Sequence, residues 1–134
     1  MKGDILLQNI RINGFIPATG GKNVKEGKRK IKEGIETKLG KNIDSVRKRC
    51  DGKPLCVSIT FFLKNGSTHA KKDPVALSNV ILSVLSEEMS TGKDAESGLN
   101  IIKNDSQIYK ITCEKKITAQ ESDVGFTFSI YEWA

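Results

Sequence analysis

The sequence predicts a mixed α/β (α+β) fold: one compact domain over residues 1–134, with helices packed on a mixed sheet. Three observations carry that expectation. At 134 residues the chain is long enough for a single domain with a real core. Its hydrophobic residues, 37% of the total, recur with a period of two in some segments and at helical spacing in others. Those segments run strand, helix, strand, helix, strand, strand, an order that places helices on one side of a sheet.

Residues 4–12 alternate loosely and predict a first strand, and "NGFIPATGGKN" follows as a loop punctuated by Gly and Pro. From Val24, the apolar residues Ile31, Ile35 and Leu39 keep helical spacing, while Gly27 and Gly34 weaken the helix. Ile43 and Val46 either continue that helix or begin a second one, which Gly52 and Pro54 stop. "PLCVSITFFLKNG" is the clearest strand, with Val57, Ile59, Phe61 and Leu63 on one face, and Asn65-Gly66 turns the chain after it. Asp73 suits an N-cap and Pro74 the first helical position. The stripe Leu77, Val80, Ile81, Val84 and Leu85 then faces the core. "STGKDAESG" is a polar loop. A strand is expected over 99–103, running on or turning into 107–113. The last strand is expected over 124–132, where Val124, Phe126, Phe128 and Ile130 alternate with Gly125, Thr127, Ser129 and Tyr131.

Several function classes are set aside at this point. No run approaches the ~18 apolar residues of a membrane span. The short apolar part of "MKGDILLQNIRING" is interrupted by Asp4, Gln8 and Asn9, unlike a secretory leader. The expectation is a cytoplasmic protein with no membrane partner. Cys50, Cys56 and Cys113 then read as reduced thiols. Their spacing is not that of a zinc site, and His69 is the sole histidine, which disfavours Cys/His zinc and Ser-His chemistry alike. No Walker or Rossmann glycine loop is present.

Charge is concentrated. Residues 22–53 hold twelve Lys/Arg against five Asp/Glu, whereas the rest of the chain holds ten against eleven. The whole formal charge of +6 therefore sits in one quarter of the sequence. The polar face of the first helix carries Lys25, Lys28, Arg29, Lys32 and Lys38, and Arg47, Lys48 and Arg49 close the basic stretch. Such a concentration fits a polyanion such as DNA or RNA. It also fits a solvated, lysine-rich helix face.

Two acids stand at element ends. Asp73 begins a helix behind His69, Lys71 and Lys72, and Asp105 lies in "IIKNDSQIYKI", within the polar tetrad Asn104-Asp105-Ser106-Gln107. Each has a structural reading, Asp73 as a cap and Asp105 as a turn residue. Each also has a chemical one. Two carboxylates brought together can bind Mg²⁺, which takes oxygen ligands and keeps several waters. A magnesium ion beside lysines is what phosphodiester hydrolysis uses to activate water and offset charge on the leaving oxygen.

This arrangement resembles the RusA-like Holliday junction resolvases, small phage and prophage endonucleases, over most of the chain. That family's signature reads D-x-D-N-x-x-x-K at the start of the second helix and D-D-x-Q before a strand. Here "KKDPVALSNVILSVL" and "NDSQIYKI" stand in those places. The resemblance implies a RusA-like domain that binds branched, four-way DNA as a homodimer and cuts it with Mg²⁺ or Mn²⁺ in recombination and repair. Asp73 and Asp105 would be the catalytic, metal-holding acids. Lys71 and Lys72 would meet phosphates near the scissile bond, and the Lys/Arg residues of 22–53 would track the backbone. The match departs from the signature at named positions. Its second acid falls on Val75, the following Asn on Ala76, its lysine on Asn79, and the acid before Asp105 on Asn104. Glu87, Glu88, Asp94 and Glu96 lie in the longer polar stretch nearby, where a substitute carboxylate would have to come from. Three readings stay open: a Mg²⁺-dependent structure-specific endonuclease, a catalytically degenerate relative that binds DNA or a protein partner without cutting, and an unrelated small nucleic-acid-binding domain in which both aspartates are only a cap and a turn residue.

Overall fold

The computed structural model describes residues 2–18, 23–89, 96–103 and 105–134, with only the main chain given for Lys2 and His69. Lys22, Asp94 and Asn104 lie outside the described residues. The regular elements are β1 (Lys2–Asn13), α1 (Val24–Leu39), α2 (Ile43–Cys50), β2 (Leu55–Lys64), α3 (Pro74–Leu85), β3 (Ile108–Thr118) and β4 (Gly125–Trp133). They form the expected mixed α+β domain. One four-stranded sheet has the order β1-β4-β2-β3. β4 pairs antiparallel with both β1 and β2, while β2 pairs parallel with β3 across the α3 crossover. The last two strands are thus consecutive in sequence but separated by β2.

The period-two faces read from the sequence are the buried ones. Val57, Ile59, Phe61 and Leu63 of β2 and Phe126, Phe128 and Ile130 of β4 are buried, and they meet Ile31, Ile35, Leu77 and Ile81 from the helices. Each such side chain contributes roughly 1.5–3 kcal/mol by leaving water. The two glycines that weaken α1 also have a use. A Cβ at Gly27 would stand 3.3 Å from the Phe15 ring, and one at Gly34 would stand 3.0 Å from Ile12 Cδ1. Glycine lets α1 approach the first strand and the loop behind it. The basic helix does not continue through Ile43. A 3₁₀ turn at Gly40–Asn42, with Gly40 at φ +50°, separates α1 from α2.

One expected strand is absent: residues 99–103 form only an isolated bridge, Ile102 to Ser86. Their apolar side chains are buried, with Leu99, Ile101 and Ile102 at most 1% exposed. Their main chain, however, serves the end of α3. Leu99 N–H donates to the Val84 carbonyl at 2.7 Å, and Ile101 and Ile102 donate to Leu85 at 2.9 and 3.0 Å. The last carbonyls of a helix lack partners within it, and this segment supplies them. Beside β2, the sheet position is taken by β3, which runs to Thr118 rather than ending at 113.

Candidate functional site

The exposed face of α3 carries Val75 and Asn79 one turn apart, with Ser83 a further turn along. A groove of about 720 Å³ opens along its C-terminal part. Asn79, Leu82, Ser83 and Ser86 form one wall. Glu87 and Glu88 lie at its end, and Lys103, Asp105, Ile108 and Ile111 form the other side. The serine hydroxyls are turned back on their own helix, Ser83 donating to the Asn79 carbonyl at 2.9 Å and Ser86 to Leu82 at 2.7 Å. Lys103 Nζ lies 3.1 Å from Asp51 Oδ1.

The tetrad proves to be a short helical turn. Asp105–Gln107 form a 3₁₀ turn that leads into β3, and Asp105 is exposed in the groove. Gln107 explains why the turn holds. Its Oε1 accepts from the Lys103 N–H at 3.0 Å, and its Nε2 donates to the carbonyls of Cys50 at 2.9 Å and Lys53 at 3.1 Å. The end of α2 is thereby tied to the start of β3.

Asp73 is placed differently. It is the N-cap of α3, with Oδ1 accepting from the Val75 N–H at 2.9 Å, and it does not line the groove. Asp73 and Asp105 are therefore not brought into one groove. The groove's wall begins at Asn79, the position the resemblance assigns to a lysine, and Val75 on the same helix face is 56% exposed. A magnesium ion is held by carboxylates and waters in near-octahedral geometry. Among the described residues, no three His, Cys, Asp or Glu side chains converge closely enough to hold a metal. Glu87, Glu88 and Asp105 line the groove without forming such a cluster, and Val75 stands where the resemblance implies a carboxylate.

Of the basic residues expected to meet DNA, several are engaged within the chain. Lys28 Nζ donates to the Met89 carbonyl at 3.0 Å and Lys32 Nζ to Ser97 at 2.9 Å. Arg47 Nε donates to the Leu99 carbonyl at 2.8 Å and its Nη1 to Asp44 at 2.9 Å. Lys72 reaches the Pro17 carbonyl at 3.3 Å, and Arg49 Nε reaches Ser45 at 3.4 Å. Arg29 Nε donates to Glu96 at 2.7 Å. That hydrogen bond holds the Glu96 carboxyl below its ordinary range, helped by the charges of Arg29, Lys25 and Lys32, and raises Arg29 in turn. Lys28, Arg29 and Lys32 tie Met89, Glu96 and Ser97 to α1, and Arg47 ties Leu99 to α2. Lys48 and Lys71 are exposed, as are Lys30, Lys38 and Lys41 nearby in sequence to the basic helices. Glu96, offered by the sequence as a substitute carboxylate, is instead the partner of Arg29, a pairing 67 residues apart that no local pattern marks.

Fold and groove together define a mixed α+β domain with a groove, three of whose lining residues are acids, between α3 and an edge strand. Comparisons with protein-family models, with curated proteins and with solved structures give no match for this chain. Among the described residues, no helix is long and apolar enough to cross a membrane.

Proposed function

We propose that the chain is a RusA-like protein that binds branched DNA as a homodimer and does not cut it. The observation that carries this reading is the exposed face of α3. Where the resemblance implies an acid and a lysine, that face presents Val75 to solvent and Asn79 to the Asp105 groove. A valine cannot ligate a cation, and a neutral amide brings no positive charge to a phosphoryl group in the transition state, where charge stabilisation is worth a few kcal/mol. Binding survives these changes because affinity for DNA comes mainly from phosphate neutralisation. The surplus of basic over acidic side chains in residues 22–53 supports it, with Lys30, Lys38, Lys41, Lys48 and Arg49 exposed.

The test is a synthetic four-way junction and its linear duplex, offered to the purified protein at moderate salt with Mg²⁺ or Mn²⁺. Preferential binding of the junction without nicking is expected, and Val75→Asp with Asn79→Lys is expected to confer nicking. Absence of binding to either DNA would sink the reading. Nicking by the unaltered chain, abolished by Asp105→Asn, would return the endonuclease reading. The supporting observation for that alternative is that Glu87 and Glu88 line the same groove as Asp105.

A further inference from the structure

The two edges of the sheet are built differently. A sheet edge exposes unpaired N–H and C=O groups that can template another strand, and bulges discourage such pairing. β1 has that protection. Its register with β4 shifts three times between Lys2 and Ile10, and Asn9 takes a left-handed φ of +46°. The Asn9 N–H is pinned to Ser129 Oγ at 2.9 Å. β3 lacks it. From Lys110 to Thr118 it keeps a regular register with β2, with no glycine or proline. Among the described residues, the main-chain bond it makes outside β2 is at its end, from Asn65 N–H to the Thr118 carbonyl at 2.9 Å. Among the described residues, three of the five large hydrophobic side chains left exposed lie on this strand: Tyr109 at 62%, Ile111 at 43% and Ile117 at 54%. An edge that is long, regular and leaves apolar side chains exposed can template another strand, and its charges, Lys110, Glu114, Lys115 and Lys116, restrict which strand fits.

We infer that β3 pairs antiparallel with β3 of a second copy about a two-fold axis at Thr112, making one continuous eight-stranded sheet. The charges select this partner and this register. With the axis at Thr112, Lys110 lies opposite Glu114 of the second copy and Glu114 opposite its Lys110, on the face shared by residues 110, 112 and 114. On the other face Ile111 meets Cys113 of the second copy, and the reverse. An axis at Cys113 would instead set Lys110 against Lys116. An axis at Glu114 or Lys115 would set that residue against its own copy, and the latter would leave Ile111 beyond the paired charges. The lysines that would deter indiscriminate pairing therefore permit a self-complementary one. In the resulting sheet both helical layers lie on the same side, so the two Asp105 grooves, which border β3, face the same way.

This inference gives an interface to the homodimer of the proposed function, and its test needs no DNA. Size-exclusion chromatography with light scattering on the unaltered chain is expected to show a dimer at tens of micromolar. Lys110→Glu is expected to weaken it by about tenfold, since two ion pairs are lost and two like-charge pairs gained. Adding Glu114→Lys to that variant is expected to restore it. In a Cys113→Ser background, Thr112→Cys with diamide as oxidant should give a covalent dimer on a non-reducing gel. Facing residues of an antiparallel pair have Cα atoms about 4.5–5.5 Å apart, within disulfide reach. Lys116→Cys in the same background should not cross-link, because eight residues of strand, about 27 Å, would separate the two thiols. A chain that is monomeric with unchanged circular dichroism overturns the inference. So does a dimer indifferent to the charge changes and to Thr112→Cys. Loss of junction binding with the dimer intact counts against the proposed function alone.

Discussion

Gln107 offers the sharpest test of how the groove is built. Replacing it with alanine removes three hydrogen bonds, from Lys103 N–H and to the carbonyls of Cys50 and Lys53. At a net ~1 kcal/mol for each bond lost, Gln107→Ala costs about 3 kcal/mol. For a domain of this size one kcal/mol moves the melting point by about 3–5 °C, so a fall of roughly 10 °C is expected. Gln107→Glu sharpens the reasoning. It retains an acceptor for the Lys103 N–H but turns an oxygen toward two carbonyls. At neutral pH that charge is opposed by both carbonyl dipoles, so the fold raises the pKa of the new carboxyl. A raised carboxyl pKa means stability is recovered as pH falls and the group regains a proton to donate. Thermal unfolding followed by circular dichroism at neutral and mildly acidic pH measures both variants. If Gln107→Ala melts within about 2 °C of the unaltered chain, the clamp is not what fixes the turn. If Gln107→Glu shows no recovery in acid, the donor to Cys50 and Lys53 is not the part that matters.

Other outcomes follow from single contacts. Asp73→Ala should lose about 1 kcal/mol in urea unfolding, while Asp73→Ser, which still caps α3, should lose only a few tenths. Gly98→Ala should destabilise by roughly 2 kcal/mol or more, because its Cβ would fall near the Ser86 carbonyl oxygen and 2.7 Å from that of Val84. Burial pushes the Cys50 thiol up to about 11, with Arg49 and Lys53 pulling the other way. A raised thiol pKa leaves stability intact below the unfolded value near 9.0 and removes it as pH climbs toward 11, by on the order of 2 kcal/mol. Urea midpoints across that range should therefore fall more steeply for the unaltered chain than for Cys50→Ala.

The core-facing stripes were legible because burial imposes a period, and β2, β4 and α3 each show one cleanly. The Asp73-Pro74 start of α3 was legible for a local reason, as cap and first-turn preferences act within a few residues. The segment 99–103 was misread because its apolar residues look like a strand when their role is to close the end of α3. Nothing within five residues reveals that the donors needed are those for Val84 and Leu85. The basic stretch was legible only in part, for a related reason. Lys28, Arg29, Lys32 and Arg47 have acceptors 52 to 67 residues away. A net charge can be counted from sequence, but whether a cation faces solvent or a distant carbonyl is decided by the fold. The groove itself was half legible: Asp105 was singled out, but Ser83, Ser86 and Lys103 had no motif to mark them.

Under the proposed reading, the family pattern divides along a physical line. Asp73 and Gln107 match it, and each has a structural task here, the first as a helix cap and the second as a clamp. Val75 and Asn79 depart from it at exposed positions on α3, where a side chain is free to change at little cost to folding. A fold that outlives its chemistry keeps residues of the first kind and loses those of the second. Asp105 tests that division, because it matches the pattern while lying exposed in the groove. Asp105→Asn is nearly isosteric and removes only charge, so the reading expects stability within about 0.5 kcal/mol of the unaltered chain. It also expects junction binding to be unchanged or slightly tighter, since one negative charge beside the phosphates is gone. Anisotropy titrations of labelled junction at two salt concentrations read the second effect. A loss of binding that appears only when Mg²⁺ is present would mean that Asp105 still recruits the ion, and the division would fail at the residue where chemistry has the strongest claim.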